Sequence, residues 1–437
     1  MRISVFGLGK LGAPLAVALA HRGFEVVGYD VERCVVERLD QGEAPVDEPD
    51  LDRLLGESGG RLSATSDPGV AVDGSEVTFL VVPTPSEANG AFSTRFALEA
   101  ADDIGRALRG KDDWHLTVLT STVMPGATGG ELVPRLEAAS GKRCGEGFGV
   151  CYSPEFIALG SVVRDLLRPD FVLIGESDER SGKTLASIYE RLCENSPPVM
   201  RMNFVNAEVA KIAVNTFVTT KISYANMLAE LCERLPGGDV GIVTEAIGLD
   251  HRIGRAYLQG ALGYGGPCFP RDNIALAKSI RDAGAHADLP EATDRVNRRQ
   301  VGRVVDRVLA FLPPGGHVGV LGLSYKPDTR VVEESQGLEI ARELAARGVA
   351  VTVHDPKALD AARVVLGEAV SYASTPTECL ARCDVAVVAT GWDAFRSLSD
   401  DDLPDDARLR AVVDCWRILD PRAFQDEVEI VHLGRGA

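Results

Sequence analysis

The stretch Arg2-Ile-Ser-Val-Phe-Gly-Leu-Gly-Lys-Leu-Gly12 decides the fold of the first half of the chain. A buried strand is predicted over its first five residues, the pattern Gly-x-Gly-x-x-Gly follows, and an Ala- and Leu-rich helix continues to His21. Glycines in this strand–turn–helix setting let the backbone approach a pyrophosphate, which the amides at the helix N-terminus bind. The stretch therefore predicts a dinucleotide fold, with Gly7, Gly9 and Gly12 in its turn.

An acidic residue ends the next predicted strand, Glu25-Val-Val-Gly-Tyr-Asp30, 18 residues after Gly12. A carboxylate at that place can bind both ribose hydroxyls of a dinucleotide and repel a 2′-phosphate. The glycines and the acid together favour NAD over NADP as the cofactor, with Asp30 as the discriminating residue.

Further apolar runs predict strands over residues 77–82, 116–120, 148–152 and 171–174. Strands that alternate with helices predict a parallel sheet covered on both faces, and ligands gather at the carboxyl ends of its strands. Polar clusters follow three of these strands: Pro83-Thr-Pro85, Ser121-Thr122 and Ser153-Pro-Glu155. Ordinary turn chemistry would explain any one cluster, but three in succession favour a binding site.

Length and composition limit the classes of function. The 437 residues can form two or three domains, and a net charge of −18 argues against nucleic acid or an anionic membrane as a partner. Nine cysteines without a C-x-x-C pair fit reduced thiols and predict no metal site. Met1 leads directly into a predicted strand and no apolar run reaches about 18 residues. We expect a soluble, cytoplasmic protein.

The segment Gly263-Tyr-Gly-Gly-Pro-Cys-Phe-Pro-Arg-Asp272, called here the cysteine turn, holds one thiol in a stiff loop. Its paired glycines, Gly265 and Gly266, let the backbone approach a ligand closely, and its two prolines restrict the backbone. Cys268 lies four residues before Asp272 and is a candidate nucleophile. A lone cysteine in a tight turn is more often a small buried residue, but the rest of the chain favours the nucleophile.

A long helix is predicted over residues 206–234, where few helix breakers occur. Glu208, Lys211 and Asn215 fall at i, i+3 and i+7, on one face of it. Apolar residues flank Lys211 in the sequence, which favours a polar stripe facing a pocket over one facing solvent. The helix is also long enough to connect domains and to form a dimer surface. A second helix is predicted over residues 271–283.

The last third of the chain repeats the alternation of strands and helices. After a hinge predicted at Pro313-Pro-Gly-Gly316, strands are predicted over residues 317–324, 349–355 and 384–390, with a helix over residues 334–347. Asp355 ends the second of these strands as Asp30 ends its own. The pattern predicts a second nucleotide-binding-like α/β domain, but its glycines are too incomplete for a second NAD site.

Taken together, these motifs resemble the UDP-glucose/GDP-mannose 6-dehydrogenase family along essentially the whole chain. The resemblance rests on the order and spacing of Gly7-Leu-Gly-Lys-Leu-Gly12, Val82-Pro-Thr-Pro85, Ser121-Thr-Val123, Ser153-Pro-Glu-Phe156, residues 208–215, Thr220-Lys-Ile-Ser223, Gly265-Gly-Pro-Cys-Phe-Pro-Arg-Asp272 and Gly322-Leu-Ser-Tyr-Lys-Pro327.

The resemblance implies an α/β fold of two Rossmann-like doubly wound domains, joined by a long central helix and a helical dimerisation core. The expected domains are an NAD-binding domain at residues 1–203, a central dimerisation domain at 204–300 and a nucleotide-sugar-binding domain at 301–437. A homodimer or higher homo-oligomer is implied as well.

The reaction implied is an NAD-dependent, four-electron oxidation of a nucleotide sugar, most simply UDP-glucose, at its primary alcohol. Cys268 would trap the aldehyde as a thiohemiacetal, and loss of a second hydride would give a thioester that water hydrolyses. By resemblance, Lys211 and Asn215 stabilise oxyanions, and water is positioned or activated by Asp272, Thr122 and Glu155.

The resemblance also implies which residues contact each ligand. Those expected to contact NAD are Gly7, Gly9, Leu11, Gly12, Asp30, Pro83, Thr84, Ser121, Thr122 and Arg330. Those expected to contact the nucleotide sugar are Phe156, Lys211, Asn215, Arg252 from a neighbouring subunit, Tyr257, Tyr264, Gly265, Lys326 and Arg417.

The chain departs from the family pattern at several positions. Leu159 stands where the family has a glutamate, Pro267 replaces a serine, and Arg271 replaces a lysine. Glu333 replaces an arginine that contacts the cofactor, and Arg330 lies one helical turn earlier. We expect Glu333 at a helix start, where the helix dipole favours an acid. These changes affect the identity of the substrate more than the type of reaction.

Three other functions fit parts of the sequence. The substrate could be another nucleotide sugar, such as a UDP-N-acetylhexosamine or GDP-mannose. A 3-hydroxyacid or 6-phosphogluconate-type dehydrogenase shares the dinucleotide fold but transfers one hydride and has no use for Cys268. A redox-inactive NAD-binding regulator would leave Cys268, Lys211, Asn215 and Asp272 without a common purpose.

Overall fold

The structure is a computed structural model that describes residues 1–404, 407–424 and 428–436. The chain forms two compact units, Met1–Ala213 and Val214–Ala437. The boundary between them falls inside the longest helix, Phe204–Glu233.

The N-terminal unit alternates strands and helices. Its strands are β1 (Arg2–Phe6), β2 (Glu25–Tyr29), β3 (Leu62–Thr65), β4 (Val77–Leu80), β5 (His115–Leu119), β6 (Phe148–Tyr152), β7 (Val172–Glu176) and β8 (Val199–Met202). Its helices are α1 (Gly12–His21), α2 (Arg33–Asp40), α3 (Leu51–Glu57), α4 (Pro68–Asp73), α5 (Arg95–Arg109), α6 (Val133–Ser140), α7 (Val162–Leu167) and α8 (Glu179–Leu192), with a π-helical turn at Thr128–Leu132 before α6.

These strands form one sheet in the order β3-β2-β1-β4-β5-β6-β7-β8. The first six are parallel, with Val5 of β1 opposite Gly28 of β2 and Phe79 of β4. This is the strand order of a doubly wound dinucleotide fold, in which the sequence runs outward from β1 in both directions. The predicted Rossmann-like fold is confirmed for this unit.

Strand β7 runs antiparallel to β6, with Cys151 opposite Glu176, and β8 is parallel to β7. The prediction of an all-parallel sheet was wrong here. The chain between β6 and β7 contains the six-residue helix α7, and β7 enters the sheet at the edge where β6 ends.

Helix α1 is buried on every side, from Gly12 through Ala20. Its residues are alanine, leucine, valine, glycine and one proline in the first turn, where proline is tolerated. It needs no polar face because the sheet and the helices α3 and α7 all pack against it. The glycine turn before α1 is thereby held against a rigid core.

The second unit begins within α9 (Phe204–Glu233) and continues through α10 (Val240–Gly248), α11 (Phe269–Asp282) and α12 (Asp288–Phe311). Its strands are β9 (His317–Leu321), β10 (Ala350–His354), β11 (Ser371–Tyr372), β12 (Val385–Val388), β13 (Ala411–Asp414) and β14 (Glu429–His432). The helices among these strands are α13 (Gln336–Ala346), α14 (Leu359–Leu366) and α15 (Pro376–Ala381).

The strands of the second unit form a sheet in the order β11-β10-β9-β12-β13-β14, and every pair in it is parallel. This order is the same as that of the first six strands of the N-terminal sheet. The predicted second Rossmann-like domain is therefore confirmed.

Helix α13 begins later than predicted. Ser335 is its N-cap, and the Ser335 hydroxyl accepts a hydrogen bond from the backbone N–H of Leu338 at 3.4 Å. The residue before it, Glu334, has a φ of 51°, which a helix cannot contain. Glu333 therefore lies before the helix, and the expectation that it occupies the helix start was wrong.

Among the helices in the described residues, none combines the length and the hydropathy that crossing a membrane requires.

Candidate active site

The turn after β1 can be built only with glycine at two places. Gly7 has a φ of 89°, in the left-handed region that favours glycine. A Cβ on Gly12 would collide with the carbonyl oxygen of Gly7, so α1 packs directly on the end of β1. Gly9 has open space where a Cβ would stand. A phosphate can therefore come close to the backbone at Gly9.

The N-terminus of α1 fits a pyrophosphate. Leu11 is its N-cap residue and has no side-chain acceptor for the first-turn amides. The first turn also carries no acidic residue. The N–H of Ala13 donates to the carbonyl of Gly9 at 3.1 Å and Pro14 has no N–H, so the amides of Leu11 and Gly12 are the ones placed to donate to a bound anion.

Asp30 stands beside this turn at the end of β2. One of its carboxylate oxygens accepts the backbone N–H of Leu8 at 2.7 Å, and the other accepts that of Glu32 at 2.9 Å. The side chain is half-buried. Each oxygen keeps a lone pair for a ribose hydroxyl, and a 2′-phosphate would meet the charges of Asp30 and Glu32. These residues fit NAD, which would supply a hydride acceptor when bound.

The polar clusters after β4 and β5 lie together because these strands are neighbours. The Ser121 hydroxyl donates to the carbonyl of Val82 at 2.6 Å and accepts the N–H of Val82 at 3.0 Å. The Thr84 hydroxyl donates to the carbonyl of Thr122 at 2.7 Å. Four residues expected to line the cofactor, Pro83, Thr84, Ser121 and Thr122, thus occupy one edge of the sheet.

Glu155 follows β6, the next strand along the same edge. Lys211 donates a hydrogen bond from Nζ to the backbone carbonyl of Glu155 at 2.5 Å, and it lies 4.5 Å from the ring centre of Phe156. Burial raises the pKa of Glu155 to about 7, against the opposing effects of a hydrogen bond from Tyr189 and the charge of Lys211. A carboxyl group with this pKa can exchange a proton near neutral pH.

Sequence reasoning missed Tyr189. Its hydroxyl donates to Oε1 of Glu155 at 3.0 Å, and the residue is buried in α8. A single tyrosine among the apolar residues of a helix gives the pattern of an ordinary core residue. A buried phenol needs a hydrogen-bond partner, and that need is the only signal for Tyr189 in the sequence.

Glu208 has a structural role. Its carboxylate is buried and accepts the backbone N–H groups of Gly126 at 2.5 Å and Thr128 at 2.8 Å. It therefore caps the helical turn that precedes α6, and burial raises its pKa. Of the predicted polar stripe, Glu208 stabilises a helix start, whereas Lys211 lies beside Glu155.

Leu159, which stands at the position of a family glutamate, is half-buried and packs against the apolar core of the N-terminal unit.

In the second unit, Cys268 is the N-cap residue of α11 and its side chain is exposed. The helix dipole favours a negative charge on a thiol at this position. Asp272 lies in the first turn of α11 and is 3% exposed. The side-chain amide of Asn215 donates to Oδ2 of Asp272 at 2.6 Å. A thiol, a carboxylate and an amide are thus placed on two helices, α9 and α11.

Two buried asparagines fix the backbone that leads to Cys268. Asn226 of α9 accepts the N–H of Ala261 and donates to the carbonyl of Leu262, both at 2.9 Å. Asn297 of α12 accepts the N–H of Tyr264 at 2.7 Å and donates to the Tyr264 carbonyl at 3.0 Å. A buried loop must pair its backbone groups, but nothing local in the sequence says which side chains will do so.

The glycines of the cysteine turn pack closely against another segment of the second unit. The N–H of Gly266 donates to the carbonyl of Glu333 at 3.0 Å, and the ring of Tyr325 occupies the place where a Cβ on Gly266 would stand. A Cβ on Gly265 would collide with the carbonyl of Glu334. These glycines therefore allow the segment between β9 and α13 to come close, and the approach of a ligand stays a prediction. Burial, with the charge of Cys268 adding to it, raises the pKa of Tyr325 to about 12.

Two arginines expected to contact the sugar nucleotide pair with acids of the same unit. Arg252 is exposed and bonds to Asp250 at 2.6 Å. Arg417 donates to Asp239, the N-cap residue of α10, at 2.6 Å and to the carbonyl of Leu433 at 2.9 Å. Arg417 thereby ties the end of β13 to α10.

The remaining expected contacts lie in the second unit. Nζ of Lys326 is 5.8 Å from the ring centre of Tyr325, and the ring of Tyr257 is 6.1 Å from that of Phe269. Tyr264 is buried, and Arg330 is exposed. Their ligand contacts stay predictions.

Comparison with known protein families covers most of the chain. Three models of the UDP-glucose/GDP-mannose dehydrogenase family match: the NAD binding domain at residues 1–193, the central domain at 205–299 and the UDP binding domain at 319–421.

Individual relatives agree with the family models. A UDP-glucose 6-dehydrogenase of Haloferax volcanii is 38% identical over 99% of this chain and 100% of its own length. A GDP-mannose 6-dehydrogenase of Azotobacter vinelandii is 36% identical over 81% of each. The solved structure of a UDP-glucose dehydrogenase from Pyrobaculum islandicum is 39% identical, with a TM-score of 0.89 over 98% of this chain and 96% of that one. The chain is therefore an NAD-dependent nucleotide-sugar dehydrogenase that belongs to the UDP-glucose/GDP-mannose dehydrogenase family.

Proposed function

We propose that this protein oxidises UDP-glucose to UDP-glucuronate in two NAD-dependent steps, with Cys268 as the covalent nucleophile. The observation that carries the proposal is the arrangement of Cys268 at the start of α11, with Asp272 in the first turn and Asn215 bonded to it. A single hydride transfer to NAD would need neither a thiol nor this carboxylate–amide pair.

The chemistry assigns a step to each group. The glycine turn after β1 and Asp30 would hold NAD, which would supply the hydride acceptor for each oxidation. Cys268 adds as a thiolate to the aldehyde carbon and forms a thiohemiacetal, which loses a hydride to become a thioester. Water then attacks the acyl carbon, the carbon–sulfur bond breaks, and the thiolate of Cys268 is restored with a carboxylate as the product.

Charge on the reacting oxygen must be stabilised at each stage. Lys211 and Asn215, four residues apart in α9, are suited to this as a cation and an amide donor. Glu155 is suited to take the proton from the attacking water because its pKa of about 7 makes it a base near neutral pH. Asp272 and Thr122 assist in positioning that water.

UDP-glucose is proposed as the substrate because the Haloferax volcanii and Pyrobaculum islandicum relatives with that name are 38% and 39% identical to this chain, whereas the Azotobacter vinelandii GDP-mannose enzyme is 36% identical over 81% of it. The test is the rate of NADH formation with a panel of UDP-glucose, UDP-N-acetylglucosamine, UDP-N-acetylmannosamine and GDP-mannose. We expect kcat/KM for UDP-glucose to exceed the others at least about tenfold, a difference of 1.4 kcal/mol. Preference for another sugar would contradict the substrate, and no NADH with any sugar would favour the regulator.

We also propose that the protein is a homodimer that associates through α9. The side chains of Phe217, Tyr224, Met227 and Leu231 are 46 to 66% exposed and recur at i, i+7, i+10 and i+14 on one helix face. An apolar stripe of this kind is typical of a helix that packs on another helix, and a second copy would also bring its Arg252 to a shared site. Sedimentation of Phe217→Glu should show a monomer, and Leu289→Glu, at an exposed position on α12, should not.

A cytoplasmic location is proposed on chemical grounds, because a thiol nucleophile must stay reduced and the cytoplasm maintains reduced thiols.

A further inference from the structure

Two hydroxyl groups lead away from the carboxyl group of Glu155 into the core of the N-terminal unit. The Tyr189 hydroxyl bonds to Oε1 of Glu155 at 3.0 Å and lies 2.9 Å from Oγ of Ser153. The Ser153 hydroxyl donates to the backbone carbonyl of Leu173 at 3.0 Å. Ser153 and Tyr189 are 1% and 3% exposed, so the chain of bonds is shielded from solvent.

The protonation state of Glu155 decides which way the hydrogen bonds among Glu155, Tyr189 and Ser153 point. Each hydroxyl group carries one hydrogen and can also accept. When Glu155 is protonated, its O–H can donate to Tyr189, Tyr189 to Ser153, and Ser153 to the carbonyl of Leu173, so every hydrogen has an acceptor. When Glu155 is ionised, Tyr189 donates to the carboxylate and Ser153 can turn to donate to Tyr189. The carboxyl group is hydrogen-bonded in both states.

We propose that Tyr189 is a positioning residue that holds Glu155 for proton transfer, and that Ser153 and Tyr189 reverse their hydrogen bonds as Glu155 gains or loses a proton. The inference rests on the proposed function, in which Glu155 takes a proton from the water that attacks the thioester. That O–H bond breaks as the new carbon–oxygen bond forms, and Glu155 later returns the proton to solvent. The bond to Tyr189 fixes the carboxyl group for this transfer, and the protonated group can then turn so that its O–H donates to Tyr189.

The groups that face Glu155 set the direction of the expected effect. Lys211 on α9 contributes a positive charge, and Tyr189 on α8 contributes a donor, and both lower the pKa that burial raises to about 7. Cys193, at the end of α8, stays neutral near pH 7 because burial and the charge of Glu155 raise its pKa to about 11. Removing the Tyr189 hydroxyl therefore takes away stabilisation of the ionised carboxylate and leaves the burial effect.

The test is the pH dependence of acyl-enzyme hydrolysis in single turnovers, followed by rapid quench and intact-protein mass spectrometry. Tyr189→Phe should move the acid limb of the profile upward by about one pH unit, the scale for losing one hydrogen bond to a charged group. Ser153→Ala should move it downward by a smaller amount, because only the protonated state needs Ser153 to accept the Tyr189 hydrogen. Tyr372→Phe is the matched control, since its phenol donates to the carbonyl of Gly367 and should leave the limb in place.

The variants separate failure of the inference from failure of the proposed function. If Glu155→Gln keeps the wild-type limb, the proposed role of Glu155 is wrong, whatever Tyr189 does. If Glu155→Gln abolishes the limb and Tyr189→Phe only lowers the rate equally at every pH, Tyr189 is merely structural and the inference is overturned. Circular dichroism and NAD binding will show whether Tyr189→Phe folds. Should it not fold, Ser153→Ala decides: a downward shift supports the chain of hydroxyls, and an unmoved limb overturns it.

Discussion

The two sheets of this chain place a glycine pair at the same two positions, yet the pairs enclose very different segments. In the N-terminal sheet, Gly7 follows β1 and Gly12 begins α1, with four residues between them. In the second sheet, Gly322 follows β9 and Gly337 lies in the first turn of α13, with 14 residues between them. A Cβ on either helical glycine would collide with the carbonyl of its partner. Both pairs let a helix pack on a strand end, but only the shorter turn can cradle a pyrophosphate.

The acids at the ends of β2 and β10 differ in the same way. Asp30 is half-buried and accepts one backbone N–H on each oxygen. Asp355 is 1% exposed, and its donors are the N–H groups of Leu323, Ser324, Lys357 and Ala358, the hydroxyl of Ser324 and the indole N–H of Trp392. The donors of the second unit occupy the carboxylate oxygens of Asp355, whereas the oxygens of Asp30 can each accept a further hydrogen bond from a ribose.

The long segment between Gly322 and Gly337 packs against a different part of the chain. Its residues Tyr325, Glu333 and Glu334 lie against Gly265 and Gly266 of the cysteine turn. The comparison shows that one architecture provides a cofactor site when its glycine turn is short. When that turn is long, as after β9, the segment packs against the cysteine turn instead.

The largest expected effect is on stability at the two acids. Asp355→Asn should lower the free energy of unfolding by about 3 kcal/mol, because an amide N–H₂ would face backbone donors in a buried site. Asp30→Asn should cost about 1 kcal/mol or less, since its surroundings are half exposed. Urea unfolding gives the totals, and hydrogen exchange should assign the Asp355→Asn loss to β9 and β10. Equal losses for the two variants would contradict the difference in hydrogen bonding and burial between Asp30 and Asp355.

The glycine pairs give the next effect, on cofactor binding. Gly12→Ala should weaken NAD binding roughly thirtyfold, because relieving a collision worth about 2 kcal/mol must move the turn. Gly337→Ala meets the same kind of collision in the second sheet and should leave NAD binding unchanged within about twofold while lowering stability. Calorimetric titration with NAD alone measures both. Weaker NAD binding in Gly337→Ala would contradict separate roles for the two turns.

Glu155 should make stability depend on pH. Its folded pKa is raised from 4.5 to about 7, so the unfolded chain releases the proton at a lower pH than the folded one. The free energy of unfolding should therefore fall by about 3 kcal/mol as the pH rises from 4.5 through 7, and this group should add no further loss well above pH 7. Glu155→Gln should lose this slope, whereas Glu99→Gln on the surface of α5 should keep it. A slope that survives in Glu155→Gln would show that Glu155 is not its source.

The smallest expected effect is on the choice of cofactor. Asp30→Asn should lower the ratio of kcat/KM for NAD to that for NADP about tenfold, because one charge facing a 2′-phosphate is removed. Glu32→Gln removes a neighbouring charge and should lower the ratio less. An unchanged ratio in Asp30→Asn would mean that its carboxylate does not face the 2′ position.

Much of this fold could be predicted because its signals are local. The glycine turn, the apolar strands and the acids at Asp30 and Asp355 each lie within a few residues of the element they mark. The direction of β7 could not be predicted, since an apolar run has the same pattern in either direction. The difference in burial and hydrogen bonding between Asp30 and Asp355 could not be predicted either, because it depends on Trp392 and on loop backbone far along the chain.

The residues of the candidate site also fall into those that local motifs predict and those that only tertiary packing reveals. Cys268, Asp272, Lys211 and Glu155 lie in short motifs whose residue types suit the chemistry. The side chains that hold those motifs in place do not lie in recognisable motifs. Tyr189 contacts Glu155 from 34 residues away, and Asn226 and Asn297 contact the cysteine turn or its approach from separate helices. Such contacts depend on tertiary packing, so no local pattern indicates them.

In the proposed mechanism both oxidations need NAD, but only the second needs the thiol of Cys268, so the two oxidations should be separable. The most direct test is the number of NADH molecules formed per nucleotide sugar consumed. We predict two for the wild type, with a uronate as the product. For Cys268→Ser we predict at most one, formed slowly, with an aldehyde that a hydrazine can trap. A ratio of one for the wild type, or wild-type turnover by Cys268→Ser, would contradict covalent catalysis by Cys268.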